Sequence, residues 1–148
     1  RHGAGGVLSN LAIFAAVGPG AISRQQINGL EDELRKGETV DAECRTSHVF
    51  GPGFYVRSLT LKAGETLTGM VHATEHIFML TQGSLLVATE DGAVRIDAPY
   101  QAVCRPGLKR AGHALTDAVC VNVHITTETD LVRLESELIE PDRRLEGV

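Results

Sequence analysis

The residues best suited to chemistry in this chain are two histidines, His72 and His76, which lie four positions apart between apolar, strand-like runs. Side chains an even number of positions apart share one face of a β-strand, and a turn between them would still bring two strand ends together. Neutral imidazole is the commonest protein ligand of transition metals, so the pair could form half of a metal site. The alternative is that each histidine is partly buried and hydrogen-bonded to the backbone.

The predicted strand 118–125 supplies a third candidate ligand. Cys120, Asn122 and His124 share one face and are small or polar, whereas the odd-numbered positions are valine or isoleucine. A strand that lines the lumen of a barrel shows this alternation. His124 would then join the two earlier histidines and leave one open position on a divalent metal. Zinc, iron, nickel and manganese would all suit such a site, and the spacing does not choose among them.

Three further residues are candidates for binding a cofactor or ligand. Arg110 could hold an anionic group through both arms of its guanidinium, or it could pair with a surface acid. Glu75 could be a ligand, a partner that fixes a histidine tautomer, or a surface carboxylate, and its odd offset from His72 favours the last two. His48 precedes a Gly-Pro-Gly turn, where it could reach the barrel mouth or cap the turn.

For several other residues, a structural role is the first interpretation. Tyr55 and Tyr100 could each supply a phenol to a pocket, but a core or rim position is the more common role. His113 stands in a predicted loop, so we expect it to be exposed. Cys120 could act as a nucleophile only if it lies near His124, and nothing in the local sequence predicts an activated thiolate.

Composition limits the classes of partner. A chain of 148 residues with 43% hydrophobic residues predicts one globular domain with its own core. The net charge of −5 argues against a nucleic-acid partner, because phosphate-backbone binding needs a basic surface. No stretch is apolar for long enough to span a bilayer, so we expect no membrane partner. The partner that we expect is a small-molecule ligand in the histidine-lined lumen.

The cysteines indicate a reducing compartment. Cys44, Cys104 and Cys120 are odd in number and form no C-x-x-C motif, so we expect free, buried thiols in a cytoplasmic protein. The sequence also contains no G-x-S-x-G, Walker or dinucleotide-binding motif. Whether the protein is an enzyme therefore stays open at this point.

The chain divides into an N-terminal arm over residues 1–21, one domain over 22–140 and a loose tail over 141–148. The apolar run 7–17 is interrupted by Ser9 and Asn10. We expect it to pack on the domain or on a neighbouring subunit, with a signal peptide as the alternative. An exposed apolar arm would be unfavourable, so a homodimer or larger homo-oligomer is predicted, in which the arm or the first helix covers a neighbour.

A first helix is predicted to begin at Ser23, whose hydroxyl forms a capping box with Gln26, and to end at Gly37. Glu31 and Arg35 can pair on its polar side. The apolar positions on its other face are Ile27, Leu30 and Leu34.

After this helix, the residue types alternate at every second position, as in β-strands. Many short runs of this kind predict an antiparallel sandwich or barrel. Asp91-Gly92 is a strong hairpin signal, because both central positions of a type I′ turn need positive φ. Glycine and proline turns separate the strand-like runs, which cover residues 55–61, 66–72, 76–81, 84–89, 93–97, 100–104 and 118–125.

The last predicted element is a short C-terminal helix that ends before Pro141. Either Thr127 or Thr129 is expected to cap it. Its apolar stripe consists of Leu131, Leu134 and Leu138.

The stretch from Gly64 to Gly83 resembles the first cupin motif, G-x5-H-x-H-x3,4-E-x6-G. Gly64, His72 and Gly83 fall on three of its positions, but Met70 replaces the first histidine and His76 replaces the glutamate. In the second motif, G-x5-P-x-G-x2-H-x3-N, Gly107 matches the glycine, and Arg110 stands where the third metal-binding histidine would be. The resemblance implies a cupin double-stranded β-helix, or jelly roll, in which the standard metal site is altered.

A further resemblance is to small cupin-like proteins of unknown function that tailed phages and prophages encode. It covers roughly residues 22–140 and rests on segments such as His48–Gly53, His72–His76 and Arg105–Arg110. It implies an origin in a phage and a location in the cytoplasm of a bacterial host, and it implies no particular reaction.

Three functional readings follow from the sequence. The leading one is a cupin whose histidine-lined lumen binds, or acts on, a small polar molecule, with a divalent metal as a candidate cofactor. The second is a metal-free protein that sequesters a small anionic molecule through Arg110 and the histidines. The third is a structural or accessory phage protein in which the histidines form a buried polar network.

Overall fold

The computed structural model describes residues 7–8, 23–37, 42–89 and 92–141. Most of the predicted N-terminal arm, residue Asp91 of the predicted hairpin and nearly all of the predicted tail lie outside these ranges. Within them, no helix is long and apolar enough to cross a membrane.

Strands form about half of the described chain, and one helix lies near each end. The helices are α1 (Arg24–Lys36) and α2 (Leu131–Leu138), and a 3-10 turn covers Ala42–Arg45. The strands are β1 (Val7–Leu8), β2 (Thr46–Gly51), β3 (Phe54–Leu61), β4 (Thr66–Thr68), β5 (His76–Gln82), β6 (Ser84–Thr89), β7 (Gly92–Asp97), β8 (Tyr100–Cys104), β9 (Arg110–Ala114) and β10 (Ala118–Ile125).

These strands form two antiparallel sheets that face each other. The first sheet has the order β1-β4-β9-β6-β7, and the second has the order β2-β3-β10-β5-β8. Consecutive strands such as β5 and β6 belong to different sheets, which is the connectivity of a jelly roll. The all-β fold class with two flanking helices is thereby confirmed.

Strand β10 is the central strand of the second sheet. It pairs with β3 along its whole length, from Ala118 opposite Leu61 to Ile125 opposite Phe54, and it pairs with β5 on its other side. Its even-numbered residues face the space between the sheets, as predicted, and His124 is only 2% exposed. On the opposite face, Ile125 is 86% exposed.

Helix α1 begins as the sequence predicts, because the Ser23 hydroxyl and the Gln26 side chain form the reciprocal capping box. Its buried face packs against small residues on the outside of the first sheet, including Ala88 and Ala111. The first helix therefore buries its apolar face within its own subunit, where it is not available to a neighbour. The residues of that face are Ile27, Leu30 and Leu34.

The polar side of α1 differs from the prediction at Glu31. Glu31 does lie 3.6 Å from Arg35, but its side chain is buried and accepts a 2.7 Å hydrogen bond from the Lys109 ammonium. Both partners of this second pair are almost inaccessible to solvent. The helix is thus held to the first sheet by a buried ion pair as well as by apolar contacts.

Helix α2 is capped by Asp130, whose carboxylate accepts from the backbone N–H groups of Val132 and Arg133. The prediction that Thr127 or Thr129 caps it was wrong, because a carboxylate one residue before the helix satisfies two free donors at once.

The predicted apolar stripe of α2 is correct in two of its three positions. Leu134 and Leu138 are buried beside Tyr55, but Leu131 in the first turn is 44% exposed.

The main differences from the predicted strands are one strand that is shorter than expected and two strands that were not predicted. The run 66–72 is a strand only to Thr68, after which the chain continues as a loop. Strands β2 and β9 were missed, because each contains residues that are typical of turns, such as the glycine of the β9 sequence RAGHA. His113 is therefore not exposed: it is 2% exposed on β9, and its Nδ1 lies 2.7 Å from the Thr66 hydroxyl.

Gly83 allows the chain to pass from one sheet to the other between β5 and β6. Its φ of +87° lies in the left-handed region, and a Cβ there would overlap the carbonyl oxygen of Asp117. A glycine is therefore required at the last position of the motif that carries His72 and His76.

Replacing Glu31 by Ala should destabilise the fold by about 3 kcal/mol, because the Lys109 ammonium would stay buried without its closest partner. Glu33→Ala is the matched control in the same helix, since Glu33 pairs with Lys36 on the exposed side and its loss should leave the stability nearly unchanged. Urea unfolding of both variants measures the difference. Equal losses in the two variants would show that the buried pair has no special role.

Candidate functional site

A cavity of about 420 Å³ lies between the two sheets. Leu59, Leu61, Leu67, Phe78 and Leu85 give it apolar walls, and α2 contributes Leu134 and Leu138. The polar and charged residues among its lining are Glu43, His48, Tyr55, Arg57, Thr68, His72, Arg110, Asn122, His124 and Glu135.

The structure brings His72, His76 and His124 together. The ring centroids are 4.2 Å apart for His72 and His76, 4.8 Å for His76 and His124, and 5.0 Å for His72 and His124. His72 and His124 line the cavity, while His76 is buried against them at the start of β5. The sequence prediction that these three residues converge therefore agrees with the geometry.

His72 reaches this position from a loop rather than from a strand. Its backbone forms an isolated antiparallel bridge with Ile139, directly after α2. The N–H of Ala73 donates to Leu138 at 2.7 Å, and the N–H of Gly107 donates to the His72 carbonyl at 2.9 Å. The C-terminal helix thus fixes the loop that carries His72.

All three imidazoles are neutral at pH 7. Burial lowers the pKa of His72 to about 2 and that of His124 to about 4, because an imidazolium would lose its hydration. Burial is also the first cause of the lowered pKa of His76, and the charge of Arg110 is the second. The neighbouring histidines and Arg57 lower the His72 and His124 values further.

Arg110 places a permanent positive charge beside the histidines. Its Nη2 lies 3.5 Å from Nε2 of His76, and its Nη1 lies 3.1 Å from the Cys104 sulfur. The guanidinium carbon also stands 5.0 Å from the centre of the Phe78 ring, in a cation–π contact. The described residues provide no carboxylate partner for this charge.

Arg57 is a second cavity arginine, and the sequence interpretation missed it. It lies on β3 opposite Asn122 of β10, and its charge lowers the pKa of both His72 and His124. The structure shows no hydrogen bond or ion pair between Arg57 and another described residue. Arg57 lies on the same face of β3 as Tyr55, Leu59 and Leu61. This alternation in the sequence could have predicted that Arg57 faces the lumen.

A chain of hydrogen bonds runs from the surface to the cavity through Glu43, His48 and Tyr55. Nε2 of His48 lies 2.6 Å from the Glu43 carboxylate, and Nδ1 lies 2.6 Å from the Tyr55 hydroxyl. A carboxylate only accepts, so Nε2 carries the proton and Nδ1 of the neutral ring accepts from the tyrosine. Burial raises the pKa of Tyr55 to about 12, which keeps this phenol protonated.

The three histidines do not fit a metal as they are arranged. The rings of His76 and His124 stack with planes 29° apart, so their faces rather than their lone pairs meet. Nδ1 of both rings is buried without a hydrogen-bond partner, but Nε2 of His76 faces the Arg110 guanidinium. That positive charge opposes a divalent cation. Within residues 23–37, 42–89 and 92–141, no group of three His, Cys, Asp or Glu residues is placed to hold a metal ion.

Two other sequence candidates lie away from this centre. Glu75 is exposed and does not line the cavity, which agrees with its interpretation as a surface carboxylate. Tyr100 is 38% exposed on β8 and is also outside the lining.

The cysteines differ from the prediction at one position. All three are free, but Cys44 is exposed rather than buried. Cys120 lines the cavity, and burial raises the pKa of its thiol to about 11. A thiol with that pKa is not a nucleophile at neutral pH.

Comparison with solved structures finds related folds among cupin proteins. A cupin-2 domain protein from Shewanella frigidimarina is 11% identical, with a TM-score of 0.47, over 66% of this chain and 92% of that one. A protein from Neisseria meningitidis is 14% identical, with a TM-score of 0.48, over 60% and 100%. An acetylacetone dioxygenase from Acinetobacter johnsonii is 15% identical, with a TM-score of 0.45, over 54% and 58%. At these identities the likeness concerns the fold alone.

No protein-family model matches the sequence, and no curated protein matches it. Membership of the cupin superfamily stays a prediction from the sequence motifs. The origin in a phage stays a prediction.

Stability should fall as the pH is lowered from 7 to 5. Unfolded histidines take up protons near pH 6.5, whereas His124 and His72 in the folded state do so only near pH 4 and 2. Each such histidine contributes a slope of up to about 1.4 kcal/mol per pH unit below 6.5. Urea unfolding at pH 7, 6 and 5 measures the sum, and His72→Gln with His124→Gln should flatten it. An unchanged slope in this double variant would contradict the assignment.

Proposed function

We propose that the protein is a cupin that binds a small anionic molecule, such as a carboxylate, inside its lumen. The observation that carries this proposal is the pair of guanidinium groups, Arg57 and Arg110, in a cavity whose nearby imidazoles are all neutral. Arg57 and Arg110 are only partly buried, but a positive charge in a partly desolvated cavity without an anionic partner is still unfavourable, and a bound anion would offset that cost. Arginine also binds planar carboxylates through two parallel hydrogen bonds.

The lining carboxylates do not neutralise this charge. Glu43 is engaged with His48, and the described residues show no ion pair between Glu135 and either arginine. A ligand that brings its own negative charge is therefore the favoured occupant. The leucine and phenylalanine walls favour a small organic anion over a bare inorganic ion.

The Tyr55 hydroxyl places a second requirement on the proposed ligand. With the proton of His48 on Nε2 only, the Tyr55 hydroxyl donates to Nδ1 of that ring, and its lone pairs can accept a hydrogen bond from the cavity side. The amide oxygen of Asn122 is also buried without a partner, and it too is an acceptor. A ligand that combines an anionic group with a hydroxyl or amino donor satisfies both features.

The chemistry of the lining favours binding over catalysis. A general base works best with a pKa near the working pH, but His72 and His124 have pKa values of about 2 and 4. Cys120 and Tyr55 have pKa values of about 11 and 12, so neither offers a ready anion. We therefore favour sequestration or sensing of the ligand over turnover.

Replacing Arg110 by Met should weaken binding of a small carboxylate about 10- to 100-fold, because a charge-assisted hydrogen bond is lost. Calorimetric titration with two- to six-carbon mono-, di- and hydroxycarboxylates measures the affinity, and native mass spectrometry tests for a co-purified anion. Tyr55→Phe should weaken only ligands with a hydroxyl or amino donor.

Arg95→Met is the matched control for this experiment, because Arg95 lies exposed on β7 and pairs with Asp97. It should leave the affinity unchanged. The proposal fails if no carboxylate binds at millimolar concentration and no anion co-purifies, a result that would favour a buried polar network without a ligand.

A second candidate, the metal cupin, is favoured by the close approach of three neutral imidazoles with two unpaired Nδ1 atoms. Because Arg110 opposes a cation, we expect less than ~0.1 equivalent of metal per chain after loading with zinc, iron or nickel. Elemental analysis of wild type, His72→Ala and His113→Gln decides between the two. One metal per chain in wild type and His113→Gln, with none in His72→Ala, would establish the metal cupin instead.

A further inference from the structure

The two cavity arginines reach the lumen from different sheets. Arg57 belongs to β3 of the second sheet, whereas Arg110 belongs to β9 of the first sheet. The Arg110 side chain crosses the space between the sheets, since its nitrogens lie 3.1 Å from the Cys104 sulfur and 3.5 Å from Nε2 of His76. Its guanidinium therefore lies over the half of the second sheet that β5 and β8 form.

Strand β10 separates the two arginines. Across the second sheet, Arg57 pairs with Asn122 of β10, and Asn122 pairs in turn with Phe78 of β5. The Phe78 ring is the one that the Arg110 guanidinium contacts, at 5.0 Å. Neighbouring strands lie about 4.8 Å apart, so the backbones of Arg57 and Phe78 are separated by ~10 Å. The two arginines therefore approach the lumen on opposite sides of Asn122.

The positive charges of Arg57 and Arg110 are both without a carboxylate partner among the described residues. Both side chains line the same cavity of about 420 Å³, so their like charges repel each other through a partly desolvated space. A single carboxylate that binds one arginine leaves the other charge uncompensated. A ligand with two anionic groups, set apart from each other, compensates both.

From this arrangement we propose that the ligand is a small dicarboxylate, with one carboxylate on Arg57 and the other on Arg110. This ligand class rests on the proposed function and narrows it. Arginine binds a carboxylate through two parallel hydrogen bonds of about 2.8 Å, and two such contacts take up most of a ~10 Å span. The ligand is therefore short, with about three to five carbon atoms in all.

The apolar part of the lining favours a carbon chain between the two charges. Leu59 and Phe78 line the cavity next to the arginines, and they would contact the methylene groups of the ligand. Inorganic phosphate can carry two negative charges as well, but it presents them at one point. It would reach one arginine and leave the other without a partner.

The test compares ligands that differ by one carboxylate. Calorimetric titration of the full chain with succinate, glutarate, butyrate and inorganic phosphate gives the affinities. The wild type should bind the two diacids about 10- to 100-fold more tightly than butyrate, because a second charge-assisted contact forms. Arg57→Met and Arg110→Met should each abolish this difference, since one arginine binds one carboxylate.

Two further variants complete the comparison. Arg95→Met is the matched control, because Arg95 lies exposed on β7 and pairs with Asp97, and it should keep the full preference for diacids. Arg57→Lys keeps the charge but loses the two parallel hydrogen bonds, so it should reduce the preference about 5- to 10-fold. Circular dichroism checks that each variant is folded, and Arg57→Lys carries the comparison if Arg57→Met is not.

Each other outcome overturns the proposal in a distinct way. If butyrate binds the wild type as tightly as succinate and Arg110→Met weakens both, the lumen is a carboxylate site that does not select diacids. Phosphate that binds more tightly than succinate points to a compact anion instead. A preference for succinate that survives at Arg57 without change, in Met and Lys variants alike, removes Arg57 from the site. Absence of binding by every one of these anions overturns the dicarboxylate together with the proposed function.

Discussion

The register between β10 and its two neighbours is the constraint on which the rest of the structure depends. Because side chains alternate along a strand, pairing Asn122 with Arg57 and Phe78 turns every polar residue of β10 towards the lumen and every valine outward. A slip of one residue would exchange the two sets and bury the wrong one. The polar side of the lumen and the aliphatic outer side of β10 are therefore two results of one pairing.

The charge of the lumen depends on Arg110, which stands at the histidine position of the second cupin motif. Where the second cupin motif has a histidine, Arg110 introduces a charge that does not titrate, and it lies 3.5 Å from a ring of the histidine cluster. A cavity that keeps its imidazoles neutral while holding two guanidiniums has the electrostatics expected of an anion site. The fold is a jelly roll, and the ligand charge that we propose for it is opposite in sign to that of a metal ion.

The sequence predicted what depends on local periodicity. The alternation in β10, the capping box at Ser23 and the convergence of the histidines are local patterns or motif spacings, and the structure agrees with them. The features that the sequence did not predict depend on contacts between distant residues. His113 is buried with Thr66 as its partner, and His48 forms a hydrogen bond with Tyr55 across a hairpin. Arg57 was overlooked because a charge in a strand is usually read as solvent-facing.

Lys109 and Arg110 are adjacent positively charged residues whose side chains lie on opposite sides of the first sheet. The first anchors α1 through Glu31 on the outside of the sheet, and the second enters the lumen. The residue that secures the strand is thus distinct from the residue that meets the ligand. A substitution at position 110 would therefore change the charge of the lumen while Lys109 keeps α1 attached to the sheet. Two adjacent residues thus separate the attachment of the helix from the charge of the lumen.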